Sequence, residues 1–148
     1  MADKTRVLFL CTGNSSRSHM AEAFLRRYGA ERFEAYSAGL KPQGVNPLTV
    51  QVMREKGFDL SLHESKGIDK YLGKVLFQYL IIVCAGADKN CPTTWPGVTR
   101  RLFWPFEDPA AFEGPEDQKL AKFREVRDQV ERKVREWVAE QPAPVETK

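Results

Sequence analysis

The sequence predicts an α/β domain built on a parallel sheet with helices against its faces. Three observations carry this. Residues 6–11 (Arg-Val-Leu-Phe-Leu-Cys) and 79–84 (Tyr-Leu-Ile-Ile-Val-Cys) are short, near-continuous apolar runs, as strands buried on both faces require. Residues 18–29 and 115–139 repeat apolar side chains at helical spacing, which suits helices that bury one stripe. Strand-like and helical segments alternate along the chain, the pattern of a parallel sheet. At 148 residues the chain fits one compact core without disulfide staples. We assign residues 1–140 to a single α/β domain and expect 141–148 to be a flexible tail.

The first strand is residues 6–11. A polar loop follows, and Met20, Ala21, Phe24, Leu25 and Tyr28 then mark one face of a helix that Gly29 ends. Residues 33–37 read as a second strand. Asn46 followed by Pro47 is an N-cap with proline at the first helical position, and Gly57 closes that helix. Residues 79–84 form the third strand. Residues 99–104 form a weaker fourth, interrupted by Arg100 and Arg101. The last helix buries Leu120, Phe123, Val126, Val130, Val134 and Trp137 on one stripe; Gln141-Pro142-Ala143-Pro144 then frays.

Charged residues make up 29% of the chain and hydrophobic ones 42%, an ordinary globular balance. No stretch is long and apolar enough to span a bilayer and no secretory pattern precedes the first strand. A cytoplasmic location, acting as a monomer with no membrane partner, is the expectation. The net charge of +3 is small and its basic residues are interleaved with acidic ones, so no nucleic-acid partner is expected. Three cysteines cannot all be paired within one chain, and in a reducing compartment such thiols serve catalysis, redox exchange or metal binding.

Ligands of parallel sheets bind at the carboxyl ends of strands, where Cys11 and Cys84 both fall. The loop Cys11-Thr12-Gly13-Asn14-Ser15-Ser16-Arg17-Ser18 leaves a buried strand and enters a helix. Its backbone N–H groups and the helix dipole converge on one point and favour an anion there. Gly13 and Asn14 tolerate left-handed backbone. Arg17 can offer two parallel hydrogen bonds to an oxyanion. Cys11 at the start of this cradle sits in the same positive field, which favours its thiolate, and Ser18 can donate to that sulfur. An inert strand-end cysteine followed by a capped loop is the alternative.

Cys84 and Cys91 are separated by the small and polar residues 85–90. A zinc site would want four ligands at closer spacing, and two incidental cysteines remain an alternative to a redox pair. Asp108 precedes Pro109, which biases it toward an extended conformation. By itself it reads as a surface turn residue.

The pattern Cys-x5-Arg-Ser at the end of a first strand resembles the low-molecular-weight protein tyrosine phosphatase superfamily. Within it, Cys11 to Ser18 with Met20-Ala21-Glu22, Tyr36-Ser37-Ala38-Gly39, Gly44-Val45-Asn46-Pro47, Cys84, Cys91-Pro92 and Asp108-Pro109 resemble the thioredoxin-coupled arsenate reductase branch. The resemblance implies a four-stranded parallel sheet flanked by helices, a flavodoxin-like three-layer fold. It implies arsenate as substrate and a relay through Cys11, Cys84 and Cys91, with Arg17 and residues 12–18 holding the oxyanion and Asp108 as general acid, a role for which Glu107 is the rival. No bound cofactor is implied, and reducing equivalents would come from thioredoxin or an equivalent dithiol. A phosphatase forming a phosphocysteine, and an oxyanion or redox sensor without turnover, are the alternatives. Several relatives bind potassium through residues matching Asn14, Glu22 and Ser37 and an aspartate where this chain has Lys66. A lysine ammonium paired with Glu22 would replace that ion, so no metal is expected. His19 and His63 are read as structural or surface residues.

Overall fold

The structure is a computed structural model and describes residues 4–12, 16–41, 43–61, 63–84 and 97–141. Its elements run β1 (Thr5–Cys11), α1 (Arg17–Tyr28), β2 (Phe33–Gly39), α2 (Pro47–Arg54), β3 (Tyr79–Ile82), β4 (Arg100–Phe103) and α3 (Glu116–Glu140). The strands form one parallel sheet in the order β2-β1-β3-β4. The most apolar strand, β1, is therefore interior, paired along its length with β2 and through Val7–Leu10 with β3. Arg100 and Arg101 are tolerated because β4 is an edge strand and both side chains are exposed.

Val7, Leu8, Phe9 and Leu10 are wholly buried, as are Leu80 and Ile81 of β3. Helix α3 lays Phe123, Val126, Val130 and Val134 into the core and packs against α1 and α2. Trp137 near its end meets Phe33, Tyr79 and Trp104 at ring separations of 4.9, 5.2 and 6.0 Å, tying the helix to β2, β3 and the segment after β4. On the opposite face of β2, Tyr36 meets Tyr71 and Phe77 edge-on. Among the described residues no helix is long and apolar enough to cross a membrane.

Two glycines work differently. Gly57, after α2, has φ +87°, left-handed backbone that only glycine adopts without strain. Gly29 caps α1 at φ −124°; space dictates it, because a Cβ there would lie 2.9 Å from the side chains of Leu25 and Phe33. The expected cap at Asn46 is present, its side chain accepting from the Leu48 N–H with Pro47 following. Helix α2 is anchored to α3 through Glu55. Arg124 donates to Glu55 from Nε and Nη2 at 3.0 and 2.7 Å, and Arg127 from Nη1 at 2.8 Å. The Arg124 hydrogen bonds chiefly hold the Glu55 carboxyl at about 2. The expected tail at 142–148 lies outside the described residues.

Candidate active site

Parallel pairing carries Cys11 to the carboxyl end of β1, opposite Gly39 of β2. The Val83 N–H donates to the Leu10 carbonyl at 3.0 Å, so Cys84 follows directly beside the same strand end. Its Sγ lies 3.9 Å from Thr12 Oγ1 and 3.8 Å from the Leu10 carbonyl oxygen. The Cys84 sulfur is disulfide-bonded, while Cys11 is not in a disulfide. Cys91 and the cradle residues Gly13, Asn14 and Ser15 lie outside the described residues.

The described parts of the cradle are braced from two sides. The Lys41 N–H donates to the Thr12 carbonyl at 2.8 Å, and the buried Thr49 hydroxyl of α2 donates to Ser16 Oγ at 2.8 Å. Ser16 is the N-cap position of α1. One turn in, Ser18 Oγ lies 3.0 Å from Cys11 Sγ with both groups buried. This is the hydrogen bond that the sequence anticipated.

Arg17 opens α1 and is only 5% exposed. Its Nη1 donates to the Phe106 carbonyl at 3.1 Å, and its Nη2 lies 3.7 Å from Asp108 Oδ2. A long-range hydrogen bond from the Arg17 side chain to the backbone thus ties the loop after β4 to this arginine. Asp108 keeps its other oxygen, Oδ1, as acceptor for the Ala110 N–H at 3.0 Å, which orients the carboxyl while leaving it 34% exposed. The rival Glu107 points away: it is 63% exposed and bound to Lys122 at 2.6 Å. Cys11, Arg17, Ser18 and Asp108 therefore gather at one end of the sheet. Thr49 and the Phe106 carbonyl escaped the sequence reading. The first shows only as a buried hydroxyl among apolar neighbours, and the second is a backbone atom with no residue-type signature.

A second polar cluster lies next to His19, one residue past Ser18. The buried carboxylate of Glu22 accepts from Ser37 Oγ at 2.8 Å and from Arg26 Nη2 at 2.7 Å. Lys66 Nζ and His19 Nδ1 each lie 3.7 Å from Glu22 Oε1. The expected pairing of Lys66 with Glu22 is present. Burial pushes the Lys66 ammonium down against the opposing pull of Glu22, and burial likewise lowers His63. Burial, with Glu22 adding, raises the Tyr71 phenol to about 12. Of the two readings, structural or surface, burial leaves the structural one for His19: it is fully buried, and its ring meets His63 edge-on at 5.6 Å.

Residues 6–146 match the sequence model of the family Low molecular weight phosphotyrosine protein phosphatase. An arsenate reductase of Halalkalibacterium halodurans is 40% identical over 133 residues, 90% of this chain and 94% of that protein. A solved arsenate reductase in the phosphate binding state superposes with a TM-score of 0.74 at 33% identity, covering 91% of this chain and 97% of that one. A thioredoxin-dependent arsenate reductase of Corynebacterium glutamicum superposes with a TM-score of 0.66 at 27% identity, covering 92% of this chain and 61% of that one.

Proposed function

Because this chain belongs to the low molecular weight phosphotyrosine protein phosphatase family, we propose that it is an arsenate reductase whose three cysteines form a disulfide relay emptied by thioredoxin. The observation that carries this reading beyond phosphatase chemistry is a second cysteine, Cys84, beside the strand end that bears Cys11. Hydrolysis of a phosphocysteine needs Cys11, Arg17 and Asp108 only. A second sulfur at that point is what reduction requires.

In the relay the Cys11 thiolate attacks arsenic in bound arsenate while Asp108 protonates the departing hydroxide, leaving a sulfur–arsenic bond. Arg17 and the N–H groups at the start of α1 hold the remaining oxygens. Reduced Cys84 then attacks Cys11 Sγ. The sulfur–arsenic bond breaks, its electron pair passes to arsenic, and arsenite leaves as the Cys11–Cys84 disulfide forms. Cys91 attacks Cys84 Sγ, freeing Cys11 as thiolate, and an external dithiol reduces the resulting Cys84–Cys91 bond. Sequence similarity to arsenate reductases and the fold match to a thioredoxin-dependent one support the reading.

The test is NADPH oxidation in the presence of arsenate, thioredoxin and thioredoxin reductase, run beside hydrolysis of an aryl phosphate. Steady arsenate-dependent NADPH consumption is expected. Aryl phosphate hydrolysis with no arsenate-dependent consumption would assign the chain to the phosphatases instead. Activity in the cytoplasm, where such reductants reside, and action as a monomer belong to the same proposal.

A further inference from the structure

The side chains of His19, Glu22 and His63 each present a ligand atom, and these atoms all lie within 4.8 Å of one another. His19 and Glu22 stand one helical turn apart on α1, so their side chains share a face. His63 reaches them from the segment after α2, outside any regular element. The separation of 3.7 Å between His19 Nδ1 and Glu22 Oε1 is too long for a hydrogen bond. It is close to the roughly 3.3–3.5 Å between two ligands of a tetrahedral ion with bonds of about 2.0–2.1 Å. All three ligand atoms fall within 4.8 Å of one another, and His63 stands outside any regular element.

We propose that His19, Glu22 and His63 form a site for a first-row transition ion of the Zn2+ or Co2+ class. Two imidazoles and one carboxylate suit such ions far better than calcium or magnesium, which prefer oxygen ligands throughout. A route exists, because His63 lines two neighbouring surface hollows. One is bounded by Ala23, Phe58 and Leu60, the other by Glu64, Lys70 and Tyr71. Solvent from either hollow supplies a fourth ligand. Ser37 Oγ, donating to Glu22 at 2.8 Å, and Arg26 on the other carboxylate oxygen orient the acid from outside the ligand set, as outer partners of metal carboxylates do.

The competitor is Lys66, whose Nζ lies 3.7 Å from the same Glu22 oxygen. An arriving dication must displace that ammonium, so the occupant of Glu22 is a choice between a tethered cation and a free one. The ion would join α1, one residue beyond Ser18, to the segment carrying His63. This site stands independently of the arsenate reading.

Titration of the full chain with Co2+, followed by visible absorption, and with Zn2+, followed by calorimetry, tests the proposal. One ion per chain is expected, with ligand-field bands of nitrogen and oxygen ligands and no near-ultraviolet thiolate band. His63→Ala should weaken binding by about tenfold or more. Lys66→Met, which removes the competing charge and leaves all three ligands, should tighten it. Equal affinity of the parent and His63→Ala, or a thiolate band for the bound Co2+, would overturn the site. Should His63→Ala fail to fold, Lys66→Met decides: unchanged or weaker binding refutes the proposal.

Discussion

Removing the Ser18 hydroxyl tests how the fold activates Cys11. The two atoms are 3.0 Å apart and buried, so no water replaces the lost donor. A hydrogen bond to a charged acceptor contributes about 1.5–3 kcal/mol. At about 1.4 kcal/mol per factor of ten, losing that donor in Ser18→Ala should slow attack by the Cys11 sulfur by roughly 10- to 100-fold. The assay is the rate of iodoacetamide labelling of Cys11 at mildly acidic pH, read by peptide mass spectrometry and run beside arsenate turnover. Both should fall together while the melting temperature hardly moves, since serine to alanine leaves little empty space. Equal labelling rates in the two proteins would refute the reasoning and leave the helix dipole as the source of activation.

Three further outcomes follow from the same geometry. Asp108→Asn should lower arsenate turnover by about 10²–10⁴-fold, the range for a lost general acid, whereas Glu107→Gln, which disturbs only an exposed pair with Lys122, should leave it unchanged; steady-state kinetics compare the two. The Glu55 carboxyl lies at about 2 against 4.5 for an unperturbed one, so its stabilisation is complete above about pH 4.5 and disappears as pH falls toward 2. Solvent screening limits it to about 1 kcal/mol, and Glu55→Gln should flatten this acid limb in urea denaturation. With Lys66 already beside Glu22, replacing sodium by potassium should change neither turnover nor melting temperature in differential scanning fluorimetry.

How much of this was legible in the sequence depended on how local each signal is. Strand β1 and helix α1 announce themselves by period, and the Asn46-Pro47 cap by residue type. The Ser18 contact with Cys11 follows from their spacing across a strand-to-helix turn. The weak fourth strand needed the sheet to explain it, because arginines at 100 and 101 make sense only on an edge. Preferring Asp108 to Glu107 from sequence rested on resemblance; in the structure the Asp108 carboxylate faces Arg17 and that of Glu107 is tied to Lys122. The His19, Glu22 and His63 cluster was not legible at all. Its members are 44 residues apart at the extremes, and nothing in their local patterns states that a loop after α2 folds back onto α1.

The relay is the central claim, and one comparison of turnover numbers tests it directly. Arsenite formed per enzyme molecule is counted for the parent and for Cys91→Ser, with thioredoxin, thioredoxin reductase and NADPH present, alongside aryl phosphate hydrolysis by both. The parent should turn over repeatedly. Cys91→Ser should release arsenite once, stop at the Cys11–Cys84 disulfide, and retain any phosphatase activity measured before arsenate is added. Undiminished multiple turnover by Cys91→Ser would contradict the relay.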